Sequence, residues 1–216
     1  MKIGMDAVLL GAWADVAGKQ ILDVGTGCGI IALMCAQRNL SAEIFAIDID
    51  PASVEEAALN FESSPWRERL KASLEDFNDI SLKNIDLIIC NPPFFDAGIT
   101  NFDSPRILAR HCAGLSPLRL LEKGARLLSK EGRIAMIIPS SIKRDVIDKA
   151  LSLNLDLLRI CHVKGHSEAP AKRVLLEFGN YTVGNRLISE TLTLRDINGN
   201  PTPAHRDLCR SFYLKF

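Results

Sequence analysis

No stretch of this 216-residue chain approaches the roughly 20 consecutive apolar residues that a membrane-spanning helix needs. The opening residues, MKIGMDAVLLGAW, lack a basic leader ahead of an apolar core and a small-residue cleavage site, so no export signal is read. Six cysteines (Cys28, Cys35, Cys90, Cys112, Cys161 and Cys209) form no C-x-x-C pair, and no histidine stands at metal-ligand spacing from them. Those gaps exclude a zinc ribbon and a disulfide framework. Free thiols in a reducing cytoplasm are expected, with no metal and no membrane among the partners. There is also no internal repeat and no low-complexity linker. The length suits one α/β domain over residues 1–216 and is too short for two.

What the chain does have is uneven charge. Its formal net charge is zero, yet residues 1–104 hold 7 Lys and Arg against 16 Asp and Glu, whereas residues 105–173 hold 14 against 6. An acidic first half and a basic middle suggest two different ligands, the second polyanionic; solvated helix faces are the plainer alternative.

Short apolar runs alternate with helical stretches. Strands are expected at Gln20–Val24, Glu43–Asp48, Leu70–Leu74, Ile85–Cys90, Arg133–Ile138, Leu155–Val163 and Arg173–Tyr181. Helices are expected at Cys28–Arg38, Pro51–Phe61, Pro117–Leu128 and Ser140–Leu153, and Leu192–Asp196 precedes an Asn-Gly-Asn turn. This order predicts an α/β fold: a mostly parallel seven-stranded sheet with helices on both faces and an antiparallel strand pair near the C-terminus.

The run Asp23-Val24-Gly25-Thr26-Gly27-Cys28-Gly29 lies between the first strand and first helix, where an open sheet binds its ligand. Glycines let the backbone turn tightly there and approach a ligand closely. A dinucleotide loop reads G-x-G-x-x-G, with helix N–H groups facing a pyrophosphate. Here the spacing is G-x-G-x-G behind an acid, and Asp23 suits the ammonium of a methionine moiety better than a pyrophosphate. The pattern resembles the first motif of Rossmann-like class I methyltransferases, which implies S-adenosyl-L-methionine as cofactor. Asp48, ending the second strand, is placed to accept both ribose hydroxyls, while Asp50 reads better as a cap ahead of Pro51. Methyltransferases of this class often carry an Asp at the end of the third strand. Here that position is Ser73 or Leu74, leaving backbone near Leu74 or the Asp76 side chain for the adenine.

Asn91-Pro92-Pro93-Phe94 follows the fourth strand directly and resembles the N-P-P-[FY] motif of enzymes that methylate planar amines. A conjugated amine is a poor nucleophile until its lone pair is drawn out of the ring. The Asn91 side-chain oxygen and the Pro92 carbonyl can each accept one of its N–H groups, and two prolines stiffen the loop. Phe94 offers a face for a flipped base. No general base is required, because the proton can leave after transfer.

Several subclasses share that motif: adenine-N6, guanine-N2 and glutamine-amide enzymes. The stretch Lys2–Trp13 (KIGMDAVLLGAW) separates them. With Phe94-Phe95, Pro105-Arg106, Arg110-His111, the Lys172–Leu176 run and the terminal Phe212-Tyr213-Leu214, it resembles the bacterial tRNA1(Val) adenine-N6 methyltransferases over nearly the whole chain. Members usually carry residues ahead of this segment, and this chain begins almost on it. The resemblance implies N6-methylation of a tRNA adenosine beside the anticodon and, weakly, places Gly4 and Asp6 near the cofactor; a helix start explains Asp6 as well. For RNA docking the nominated residues are Phe94, Phe95, Arg106, Arg110, Lys143, Arg144, Lys172 and Arg173. Alternatives are a ribosomal RNA base, a protein glutamine amide, or a catalytically idle nucleic-acid-binding module on the same fold. Oligomeric state is not readable.

Overall fold

The computed structural model describes residues 4–92, 115–180 and 186–213. Its first helix, α1 (Met5–Trp13), precedes β1 (Gln20–Val24), α2 (Ile30–Arg38), β2 (Glu43–Asp48), α3 (Pro51–Glu62), β3 (Leu70–Leu74) and β4 (Ile85–Cys90). Then come α4 (Pro117–Leu127), β5 (Leu128–Pro139), α5 (Lys143–Ser152), β6 (Leu155–His166), β7 (Ala171–Asn180), β8 (Ile188–Arg195) and α6 (Pro203–Cys209). The sheet runs β3-β2-β1-β4-β5-β7-β6-β8. It is parallel from β3 to β5, and β7 lies antiparallel to both β5 and β6.

The sheet therefore holds eight strands, one more than expected. The additional strand is β8, parallel to β6 at the far edge. Its pattern gave little sign of pairing, because only Leu192 of its eight residues is buried. The expected helix at Ser140–Leu153 instead opens as a 3-10 turn over Ser140–Ile142 and becomes α-helical at Lys143.

Local chemistry accounts for the element ends. Asp50 caps α3: its Oδ2 accepts from the Ser53 amide at 3.2 Å and the Ser53 hydroxyl at 2.7 Å, with Pro51 in the first turn. Ser116 and Pro117 open α4 in the same way. The run IDLIIC is apolar without alternation because helices cover both faces of the sheet. Leu87 and Ile89 join one core, while Ile85, Ile88 and Cys90 join the other.

Helix α1 is buried from Ala7 to Trp13, apolar on every side, so it shows no amphipathic stripe. A Cβ on Gly11 would lie 2.8 Å from Met34 Sδ, so this glycine permits close packing of α1 on α2. Arg38, in the last turn of α2, donates from Nη1 to the carbonyls of Gly11 and Ala14 at 2.8 and 2.7 Å, capping the end of α1. At the opposite ends, Met5 and Val8 share a groove with Ile30 and Leu33. The two helices thus run side by side in the same direction. Both start at the carboxyl edge of the sheet.

A charged cluster ties the end of α1 to the sheet. Trp13 Nε1 donates to Glu190 Oε1 at 2.9 Å, and the Arg159 guanidinium stacks 4.2 Å from the Trp13 ring centroid. Glu177, buried on β7, accepts from the Asp15 amide at 3.1 Å and lies 3.6 and 3.5 Å from Arg133 and Arg159. Burial pushes its carboxyl above the usual range, with the Asp15 amide and then the two arginines opposing. The Arg133 and Arg159 side chains remain 33% and 22% exposed, so both can turn to water if their partner is lost. Glu177→Ala is therefore expected to cost about 1.5–3 kcal/mol rather than more, read from the urea unfolding midpoint at constant slope.

Candidate active site at the carboxyl edge

Strand order reverses between β1 and β4: from β1 the chain steps outward to β2 on one side and later to β4 on the other. Open α/β sheets bind ligands outside the carboxyl ends at such a point. Two sequence-nominated loops meet there. Val24 pairs with Cys90, so Gly25 and Asn91 leave adjacent strands at the same level.

The glycine loop folds as its composition requires. Gly25, Gly27 and Gly29 have φ of 70°, 59° and 81°, in the left-handed region. The amides of Gly25 and Thr26 both donate to Ile47 O, at 2.9 and 3.0 Å, fastening the loop to β2. Gly29 stands at the start of α2, which begins two residues later than expected because this left-handed residue precedes it. A Cβ there would lie 2.5 Å from Cε1 of the buried Phe61. Gly29→Ala is expected to cost at least about 1–2 kcal/mol from backbone strain alone, read by urea unfolding, and to loosen the loop.

Asp48 is 3% exposed at the end of β2. Its Oδ2 accepts from the Gly27 amide and its Oδ1 from the Asp50 amide, both at 3.0 Å, so it also holds the loop that it borders. Asp23 lies beneath the loop, fully buried. Its Oδ2 accepts from the Thr26 hydroxyl at 2.6 Å, while Oδ1 is buried with no hydrogen-bond partner among the described residues. Burial lifts its pKa to about 7, opposed by the Thr26 hydroxyl and the Ala32 amide and assisted by nearby Asp48.

A cleft opens beside these groups at the carboxyl edge. Gly25, Asp48, Asp76, Phe77, Asn91 and Leu115 contribute to its walls. Asp76 is held by an Asx turn, its Oδ1 accepting from the Asn78 amide at 2.8 Å and from Asn78 Nδ2 at 2.9 Å. After β3, Glu75 and Asp76 both line the cleft. Ser73 pairs within the sheet opposite Ile47, and Leu74 is largely exposed. Asn91 Oδ1 is buried without a partner among the described residues, and Pro92 is buried behind it. Pro93, Phe94, Phe95, Arg106 and Arg110 lie outside the described residues. Sequence reasoning missed Ile49, Phe77 and Leu115, the apolar walls. A buried aromatic directly after the acids at 75 and 76 was the available signal for Phe77.

The remaining nominated cations gather farther along the same edge. Lys143 starts α5. Arg144 makes a loose pair with Asp148 at 3.8 Å, both exposed, and Lys172 is exposed at the start of β7. Burial, then the Lys143 charge, holds His162 below its usual pKa. Arg173 lies opposite Pro139, the last residue of β5, and its Nε donates to Asp6 Oδ2 at 3.0 Å. Asp6 and Arg173, nominated separately, are brought together. Among the described residues no cluster of His, Cys, Asp and Glu could hold a metal ion, and no helix is long and apolar enough to cross a membrane.

Residues 5–154 match the model of the methyltransferase small domain family. A tRNA1(Val) (adenine(37)-N6)-methyltransferase from Trichodesmium erythraeum is 40% identical over all of this chain and 92% of that protein. Its namesake from Edwardsiella ictaluri is 34% identical over all of this chain and 88% of its own length. The chain belongs to this methyltransferase family. Among solved structures, a predicted O-methyltransferase from Agrobacterium tumefaciens superposes with a TM-score of 0.74 at 20% identity, covering 95% of this chain and 96% of that one. A TehB-like SAM-dependent methyltransferase from Corynebacterium glutamicum gives 0.54 at 19% identity over 82% and 87%. At those identities the likeness concerns the fold, and it is the Rossmann-like methyltransferase fold expected from the order of elements. Of the motif residues nominated in this methyltransferase, Gly25, Asp48 and Asn91 line the cleft.

Proposed function

We propose that this methyltransferase acts in the cytoplasm, as one domain, on the N6 amine of an adenosine beside the anticodon of a valine tRNA, with S-adenosyl-L-methionine as methyl donor. The observation that carries the reading is Asn91 Oδ1: a buried amide oxygen with no partner among the described residues, on the wall of a cleft bordered by the glycine loop. An unpaired buried acceptor costs free energy, which an incoming N–H recovers. The names of relatives up to 40% identical supply the tRNA substrate.

The residues present fit the donor. Asp48 borders the place for a ribose, Asp76 and Phe77 offer a polar edge and an apolar wall for an adenine, and Asp23 Oδ1, beneath the loop, has no hydrogen-bond partner among the described residues. When bound, S-adenosyl-L-methionine supplies an electrophilic methyl group. Asn91 Oδ1 and the Pro92 carbonyl accept the two N–H groups of the amine and turn its lone pair outward. After transfer, the extra proton passes from the amine to water. Pro93 stiffens the loop and Phe94 stacks the target base. Phe95, Arg106, Arg110, Lys143, Arg144 and Lys172 are assigned to RNA docking, where cations on phosphates give affinity with steep salt dependence.

The test is tritiated methyl transfer into total tRNA lacking the modification, followed by nucleoside mass spectrometry. N6-methyladenosine in a valine tRNA is the expected product. Cofactor binding without any tRNA methylation would end the assignment and turn attention to ribosomal RNA and protein amides.

A further inference from the structure

We propose that Asp6 and Arg173 form a positioning pair that seats the first turn of α1 against the acceptor side of the site, so that Arg173 acts through Asp6 and not on RNA phosphate. The inference rests on the proposed function for its kinetic readout alone.

Three observations lead to it. Helices α1 and α2 run in the same direction, and α2 starts directly after the glycine loop, so the first turn of α1 also lies at the carboxyl edge. Helix α1 packs on β5, and the Asp15 amide just past its end reaches Glu177 on β7. Strand β5 ends at Pro139, opposite Arg173 near the start of β7, and its neighbour β4 ends at Cys90, one residue before Asn91. Among the described residues, an ion pair joins that turn to the sheet: Arg173 Nε to Asp6 Oδ2, 3.0 Å, with the side chains 35% and 29% exposed. Gly4, just ahead of it, has no described residue within 4 Å of where a Cβ would stand.

The consequence is specific. A guanidinium committed to a carboxylate brings no net charge to a phosphate, whereas holding the helix end sets the wall beside the amine acceptors. A small displacement of such a wall lowers turnover more than affinity.

The experiment compares Asp6→Asn, Arg173→Gln and the exchanged pair Asp6→Arg with Arg173→Asp in the full chain. For a positioning pair, both single variants lose kcat by roughly tenfold, keep KM for tRNA, and keep the salt dependence of that KM. The exchanged pair recovers kcat. If Arg173 instead contacts phosphate, Arg173→Gln raises KM and lowers the salt slope by about one. Asp6→Asn would then tighten tRNA binding by releasing the arginine. Either result overturns the proposal. Amide hydrogen exchange of residues 5–10 supplies a readout that needs no substrate: it speeds up several-fold in both single variants and recovers in the exchanged pair. Unchanged exchange sinks the pair as a structural latch, even if tRNA proves to be the wrong substrate.

Discussion

Asn91→Ala is expected to lower methyl transfer by roughly 10²–10³-fold while the protein keeps its fold and its cofactor affinity. Two quantities separate this outcome from general damage. Asn91 lies beyond the last paired residue of β4, and the substitution leaves its backbone in place. Its Oδ1 has no partner among the described residues, so the alanine variant removes a buried acceptor left unpaired by them and the melting temperature should hold or rise. Loss of rate with a steady melting temperature and an unchanged cofactor Kd would match the role given to Asn91. Turnover within threefold of the parent would exclude the amide as the acceptor of the substrate amine.

Asp23→Asn is expected to trade binding for stability, with a pH signature. In the folded protein Asp23 titrates near 7, well above the ordinary value of 3.8, chiefly because it is buried. Between those two values the folded state holds a proton that the unfolded state has released. Raising pH through that window therefore lowers stability, and above about 7 the whole penalty is present. The asparagine keeps the shape and the partner Thr26 without the charge. It should match the parent near pH 4 and exceed it at pH 8 by an amount on the order of 3 kcal/mol, read from urea unfolding.

Cofactor affinity should move the other way. A carboxylate is needed opposite the ammonium of S-adenosyl-L-methionine, so parent affinity should rise from pH 5.5 to 7.5, by up to about tenfold per unit, and then level. That range keeps the ligand ammonium mostly protonated. In Asp23→Asn the rise should vanish, with affinity at pH 7.5 lower by roughly ten- to a hundredfold. A variant that binds as tightly as the parent across the range would show that Asp23 only packs beneath the loop.

What could be read from the chain alone was whatever local chemistry decides. Three glycines at fixed spacing announce three left-handed residues, and all three are found. Asp50-Pro51 announces a capped helix start, and the carboxylate does accept from the Ser53 amide. IDLIIC followed by Asn-Pro-Pro announces a central strand ending at a site. Three other features were hidden. Helix α1 is apolar all round, so no period marks it. Strand β8 buries one side chain, too few to alternate visibly. The pairing of Asp6 with Arg173 joins residues 167 positions apart, and neither motif refers to the other. The aromatic wall at Phe77 stayed unread because it comes from a loop, where neither helical nor strand periodicity applies.

The burial of α1 bears on how the chain is made. Helix α1 leaves the ribosome ahead of the sheet, yet several of its charged partners follow much later: Arg173, Glu177 and Glu190, the last of them 177 positions after Trp13. At translation rates of about 5–20 residues per second, roughly ten to thirty seconds pass between the emergence of the helix and that of its partners. Until β5 is made the nascent protein carries an apolar rod without the strand it packs on, and its pair with Arg173 waits longer still. Stalled or prematurely terminated products ending before β7 should therefore be sticky and readily degraded, and a holdase that recognises short apolar helices would bind this polypeptide early and release it late.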